Sequence, residues 1–211
     1  MRKKYIVQFG LCLLLALCSG CGKVKPSAED SVKIFYDLHI IRDTSEAEQL
    51  GMTEEDIANA LAAYDEALAE TIRFDLHASG LEIDDESIAA ICEARISALS
   101  RMNAEYELTS ENNDTAVVTL STTYFDEASL VEEAADAARK EADTRKFTEY
   151  KEYQACILDA YIRNLLAGYN AVAPSEDRRE VVVTCIIVDN IWLPEDVVAL
   201  GSDLRLAVTG Q

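Results

Sequence analysis

Positive charge is scarce in this chain: 19 lysines and arginines face 39 aspartates and glutamates, a formal net charge of −20 over 211 residues. A nucleic-acid binder needs a cationic footprint to displace counterions from phosphates, so nucleic acid is excluded as a partner. Proline and glycine are also few, 3 and 8, and no low-complexity stretch or long linker interrupts the sequence. With 49% apolar residues, a chain of this length holds enough core for one domain. Histidine is limited to His39 and His77, so a metal centre would have to be assembled from distant ligands. There is no Gly-x-Ser-x-Gly elbow, no penicillin-binding serine-lysine pattern and no glycine-rich phosphate loop. The expectation is a protein that is not an enzyme and carries no cofactor.

What is present first is an address. The opening "MRKK" is followed by an apolar stretch to Leu17 interrupted only by Gln8 and Gly10, the charged and hydrophobic regions of a signal peptide in order. About thirteen apolar positions fall short of the roughly 20 that a spanning helix needs. Residues 1–20 therefore read as a secretion signal. Its end, "LCSGC", places Ser19 and Gly20 directly before Cys21 and resembles the lipobox of bacterial lipoproteins, with Cys18 where leucine is usual. That resemblance implies a diacylated Cys21 as the new N-terminus, and two chains on one residue give stable membrane attachment. Residues 21–28 would be the lipidated end and a tether reaching no more than roughly 25 Å. Residues 29–211 would form one extracytoplasmic domain close to the membrane's outer face.

Cleavage removes Arg2, Lys3 and Lys4, leaving 16 basic residues against 39 acidic ones, a net charge of −23. Such a charge repels an anionic membrane and holds the domain in solution while its lipid holds it down. Besides Cys21, three cysteines survive: Cys92, Cys156 and Cys185. An odd count argues against a disulfide framework. Cys92 falls on a helical stripe and Cys185 within "VVVTCIIV", so both read as small core residues. A Cys92–Cys185 bridge is the one pairing considered. Zinc is excluded because no two cysteines stand close together.

Along the chain, Ser27 with Asp30 opens a helix over "SVKIFYDLHII", apolar on more than one face and so buried. A turn and a short helical piece follow in "RDTSEAEQLG". Thr53 before "EED" starts a second helix, whose Ile57, Leu61, Tyr64, Leu68 and Ile72 recur at spacings of four and three, closed by Gly80. "DDES" opens a third, with Ile88, Cys92, Leu99 and Met102 along one stripe. The period then changes: "AEYELTS" and "TAVVTLSTTYF", joined by "ENND", predict a β-hairpin. Residues 126–169 return to helix in two pieces, with a break near "ADTRKFT" and an end at Gly168. "RREVVVTCIIVDNIWLPED" predicts a long strand, an Asp189-Asn190 turn and a short strand carrying Trp192. A short helix closes the chain. The fold class expected is α+β: a helix-rich single domain with a roughly four-stranded antiparallel sheet covered by helices on one face.

Candidate chemistry is thin. "TEED", "DDES", "PSED" and "LPED" stand at helix starts or turns, where carboxylates cap amides. Tyr150, Tyr153, Tyr161 and Tyr169 recur at helical spacing among Ile157 and Leu165. Tyrosine suits a partner or carbohydrate surface, but that spacing predicts a face packed on the sheet. Trp192 beside Pro194 reads as a core plug.

The lipobox, the "SAEDSVKIFYDL" helix, "LGMTEEDI", "TTYFDE", "PSED" and "NIWLPED" together resemble uncharacterised surface lipoproteins of Gram-positive Firmicutes that carry a domain of unknown function. The closing strand-turn-strand also resembles NTF2-like and cystatin-like folds. These likenesses imply location and fold and transfer no catalytic residue. The function expected is a lipid-anchored surface protein, a non-enzymatic interaction module of the cell envelope with an envelope protein as partner. The alternatives are a small-ligand binding module with a pocket between sheet and helices, and an unrecognised hydrolase.

Overall fold

A computed structural model describes residues 25–211. The expected signal region 1–20 and Cys21, with most of the expected tether, lie outside the described residues. Helix α1 (Ala28–Tyr36) begins at a capping box: the Ser27 hydroxyl accepts from the Asp30 amide while the Asp30 carboxylate accepts from the Ser27 amide. Its Val32, Phe35 and Tyr36 are buried. The helix widens into a π-turn (Asp37–Ile41) and stops at Arg42, which takes a left-handed conformation with φ 67°. π-Turns concentrate at functional sites, and this one presents His39 and Arg42. A 3-10 turn (Ala47–Leu50) leads to α2 (Glu54–Ala78), opened by the Thr53/Asp56 box, and α3 (Asp85–Leu99), capped by Asp84.

Strands β1 (Ala104–Glu111) and β2 (Thr115–Thr123) form the first hairpin, its turn fixed by the Asn112 side chain accepting from the Asp114 and Thr115 amides. Helices α4 (Glu127–Asp143) and α5 (Tyr150–Ala171) follow, then β3 (Arg178–Val188) and β4 (Ile191–Pro194), and α6 (Val197–Val208) closes the chain. Asp189 and Asn190 both have positive φ, 51° and 67°, the conformation a two-residue hairpin of the favoured hand requires. The sheet is antiparallel throughout in the order β1-β2-β3-β4.

Period-two alternation buries one sheet face. Ala116, Val118 and Leu120 of β2 lie opposite Cys185, Val183 and Val181 of β3, and all six are buried. Helices α1 and α6 cover this face. The expected α+β architecture is therefore the observed one, 58% helix and 17% strand.

Two details differ from expectation. Helix α5 runs past Gly168 to Ala171, because Gly168 serves a close approach to α4: a Cβ there would meet Leu130 Cγ at 3.0 Å. The end of α5 is instead held by Arg101, whose guanidinium donates to the carbonyls of Tyr169, Asn170 and Val172 at 3.2, 3.1 and 2.9 Å. The Cys92–Cys185 bridge is not formed. Cys92, Cys156 and Cys185 are free thiols: Cys92 sits on α3 near Asp65 of α2, while Cys185 lies in the sheet opposite Ala116. Burial raises both thiols, Cys185 to about 11.

Candidate functional site

Small residues decide where this fold leaves space. Ala134, Ala138 and Ala142 recur every four residues on α4, and with Ala160 of α5 they are buried, so α4 and α5 pack tightly together. Helix α2 has no such partner. It approaches α3 closely, but of its predicted stripe only Ile57 is buried, and Leu61, Tyr64, Leu68 and Ile72 stay partly open. Between α2 and the helices facing it lies a cavity of about 1380 Å³. Pockets for drug-sized ligands are roughly 300–1,000 Å³, so this one admits something larger.

Helix α2 behaves as a strap held at its margins. Arg42 pairs with Asp65 and lies over the Tyr64 ring, 4.6 Å from its centroid. Arg73 pairs with Asp85 at 2.8 Å. Beyond the helix end, the Gly80 carbonyl accepts from Gln154 of α5 at 2.6 Å. These bonds are exposed, and exposed ion pairs contribute about 0–1 kcal/mol each. The strap is held by contacts weaker than a packed core.

The facing wall carries the tyrosine stripe. Tyr150, Tyr153, Tyr161 and Tyr169 all line the cavity with Ile157 and Leu165, which corrects the expectation of a face packed on the sheet. The helical period was right, but α1 and α6 occupy the layer against the sheet, so α5 presents its stripe to α2 across a gap. The exposed Tyr150 stands at the mouth and the buried Tyr169 at the floor. Burial raises the Tyr161 and Tyr169 phenols, with Asp75 adding to the first and Glu127 to the second. Both are neutral donors at physiological pH. Trp192, half-buried, packs on the edge of the core and does not reach the cavity.

At the floor sits a polar knot that joins four elements. Arg95 of α3, 5% exposed, donates Nε and Nη2 to the two carboxylate oxygens of Glu127 at 2.6 and 2.9 Å. Its Nη1 donates to Tyr64 Oη at 3.1 Å, and Tyr169 Oη donates to Glu127 Oε1 at 2.8 Å. Burial opposes the guanidinium charge, but the bonded carboxylate more than offsets it, and the Arg95 pKa is raised. Sequence reasoning missed this knot. Arg95 falls on the stripe of Ile88, Cys92 and Leu99, and a cation inside an apolar stripe was the signal. Glu127, one residue after the cap Asp126, reads locally as a dipole-complementing acid.

His39 also lines the cavity, its ring stacked on Phe35 at 6.0 Å and 12°. Burial first, then the nearby Arg42, lowers its pKa, so the imidazole is neutral. His77 is exposed in the last turn of α2. Among the described residues no three His, Cys, Asp or Glu side chains gather to hold a metal. The acidic clusters cap as expected: Asp56 serves Thr53, Asp84 serves Ser87 and Asp196 serves Ala199, while Ser175 of "PSED" ties the loop to Tyr124.

No protein family matches the chain, and no curated protein does. The fold is similar to a solved structure, a "putative lipoprotein (ycdA)" of Bacillus subtilis, with a TM-score of 0.62 and 17% identity. The match takes in 85% of this chain and 55% of that one, so this chain spans little more than half of its neighbour's length. At that identity the likeness shows the fold alone. No comparison supports the finer likeness to NTF2-like or cystatin-like folds. The fold of this chain is thus shared with a protein of a Firmicute.

Proposed function

We propose that this protein is a lipid-anchored, extracytoplasmic binding module whose ligand lies in the cavity between α2 and the tyrosine wall of α5. The observation that carries the reading is the cavity itself: a volume of about 1380 Å³, apolar for most of its lining, beneath a helix whose apolar stripe is buried at Ile57 and stays partly open from Leu61 to Ile72. An unfilled space of this size has no structural use, since it deprives its lining of contacts that a packed core supplies. The ligand-binding alternative thereby moves ahead of the envelope-interaction module, and the pocket is placed between helices instead of between sheet and helices. An envelope protein partner remains the second reading, favoured by Val182, a large apolar side chain 66% exposed on the uncovered sheet face.

The role is binding and not catalysis. Glu127, the carboxylate at the floor, already accepts three hydrogen bonds from Arg95 and Tyr169, which ties it to the knot as a structural member. Attachment through Cys21 rests on the lipobox resemblance. A Cys21→Ala protein is expected to lose acylation and leave the membrane fraction, and retention as a processed, acylated protein would overturn the anchor.

The binding role is tested by thermal shift of the mature chain from Cys21, made without its lipid, against fatty acids, sugars, peptides, wall fragments and metabolites. Every buried residue described lies between Pro26 and Thr209, so the chain from Cys21 contains the described core. A ligand at 100 times its Kd adds about 2.7 kcal/mol, a rise in Tm of about 5–10 °C. Gly201 of α6 lines the cavity and has nothing within 4 Å of an added Cβ, so Gly201→Phe is the substitution chosen to place a ring in the space. Hits abolished by Gly201→Phe support the cavity as the site; hits that survive it place binding elsewhere.

A further inference from the structure

Charge around the cavity runs against the charge of the chain. Five ionised side chains line it: Arg95, Arg139 and Arg205 against Asp75 and Glu127. The lining is net positive in a protein whose formal charge is −20. Arg95 and Glu127 cancel in the bidentate pair at the floor, which leaves Arg139 of α4 and Arg205 of α6 against Asp75 of α2, an excess of one positive charge. Arg139 donates to Asp136 at 2.7 Å and to the Ala135 carbonyl at 3.3 Å, both at the exposed surface, whereas Arg205 has no acidic partner among the described residues. A cation in the last turn of α6 suits the helix dipole, but that does not require it to face a cavity.

Several polar groups of the lining are already committed to the protein. Thr71 Oγ1 donates to the Ala67 carbonyl, Ser79 Oγ to the Asp75 carbonyl and the Gln154 amide to Gly80. The Tyr64 and Tyr169 hydroxyls belong to the Arg95–Glu127 knot. The lining hydroxyls that make no hydrogen bond among the described residues, those of Tyr150, Tyr153, Tyr161 and Ser202, stand among mostly apolar neighbours, which suits a chain with one polar end. Along α6 the cavity face runs from Val197 and Val198 through Gly201 to Arg205, so one helix grades from apolar wall to free guanidinium.

Resting on the cavity as the binding site, we propose that it takes a single-chain anionic amphiphile, its hydrocarbon chain along the tyrosine wall and its carboxylate or phosphate head at Arg205 and Arg139. Guanidinium is the side chain best matched to either head, because its fork donates to two oxygens at once. The apolar body gains by leaving water, and the head meets Arg205, which has no acidic partner among the described residues, together with Arg139, whose ion pair to Asp136 is exposed.

The test is displacement of cis-parinarate, whose fluorescence rises in apolar surroundings, from the mature chain by laurate, dodecyl phosphate, dodecanol and dodecyltrimethylammonium. Saturable binding is expected, with the two anions ahead of the alcohol by about fivefold, the scale of one exposed ion pair, and the cation weakest. Arg205→Gln together with Arg139→Gln should bring the anions to the level of the alcohol and leave the alcohol unchanged. Arg205→Lys should recover part of the difference. Laurate ahead of dodecyl phosphate would assign a carboxylate head, and the reverse order a phosphate, either one supporting the proposal. Equal competition by all four, or anion preference that survives the double substitution, overturns the headgroup assignment and leaves the cavity as a neutral apolar site. Absence of parinarate binding overturns this proposal alone if the thermal screen has hits that Gly201→Phe abolishes, and both readings if it has none. Ala63→Trp, at an exposed lining position of α2, repeats the blocking test from the opposite wall.

Discussion

Arg95 and Glu127 meet fork to fork at the floor of the cavity, Nε to Oε1 at 2.6 Å and Nη2 to Oε2 at 2.9 Å, and so fasten α3 to the first turn of α4. Removing one member strands a charge that its partner no longer offsets, which for buried pairs costs about 3–5 kcal/mol. Glu127→Met and Arg95→Met should therefore each destabilise the domain by about 3 kcal/mol, lowering Tm by about 6–12 °C. The double Arg95→Met, Glu127→Met protein should recover much of that loss, since an apolar pair needs no charge compensation. Urea unfolding of the four proteins at neutral pH measures both effects, and a double variant as unstable as the sum of the singles would refute the coupling.

Tyr36 and Thr122 share a buried hydrogen bond of 2.8 Å between α1 and β2. The Thr122 hydroxyl proton is committed to the Thr123 carbonyl at 2.9 Å, so Tyr36 is the donor. Burial pushes its phenol up to about 12, and the bond to Thr122 only partly offsets this. Tyr36→Phe removes a donor whose acceptor keeps another bond, and should cost about 1 kcal/mol. Thr122→Val leaves the buried phenol without its acceptor and should cost more, up to about 3 kcal/mol. Chemical denaturation of both variants checks the order, which is the informative result.

His39 should make stability pH-dependent in one direction. Its folded pKa lies below the ordinary value of 6.5, lowered by burial and then by Arg42, so the unfolded chain binds the proton more readily. The neutral ring's contribution is thus complete above the unfolded pKa and is lost as pH falls through about 6.5 toward the folded value. The lowered carboxylates Asp43, Asp56, Asp84 and Asp126 have an ordinary value of 3.8 and titrate below this window. The urea midpoint should fall between about pH 7.5 and about pH 5.5 in the parent, and the fall should be smaller in His39→Gln. Equal slopes in the two proteins would show that His39 is not the group responsible.

The sequence made most of the fold legible because its signals were local. Capping boxes at Ser27 and Thr53, the Asp189-Asn190 turn and the change of period at Ala104 each depend on a few neighbouring residues, and each element formed as expected. The site was less legible because it depends on what fails to pack. A stripe of Tyr64, Leu68 and Ile72 is the same string whether it meets a core or a void, and only the layer order decides which. Gly168 misled for a related reason: near a helix end it reads as a stop, while its use is a contact with Leu130 on another helix.

Two helical glycines should respond oppositely to one substitution. Glycine inside a helix is less favourable than alanine by about 1 kcal/mol, so Gly→Ala stabilises wherever the new methyl finds room. At Gly201 nothing lies within 4 Å of the added Cβ, and Gly201→Ala should raise stability by about 0.5–1 kcal/mol. At Gly168 the same methyl would meet Leu130 Cγ at 3.0 Å and Cδ2 at 3.2 Å. Overpacking of that kind costs about 1–3 kcal/mol, which outweighs the propensity gain, so Gly168→Ala should destabilise. Adding Leu130→Ala removes the obstructing side chain, and Gly168→Ala introduced into that background should become neutral or favourable. Thermal unfolding of this set separates backbone propensity from helix contact. Loss of stability in Gly201→Ala would mean that the space beside α6 is closed, and with it the cavity on which the binding role rests.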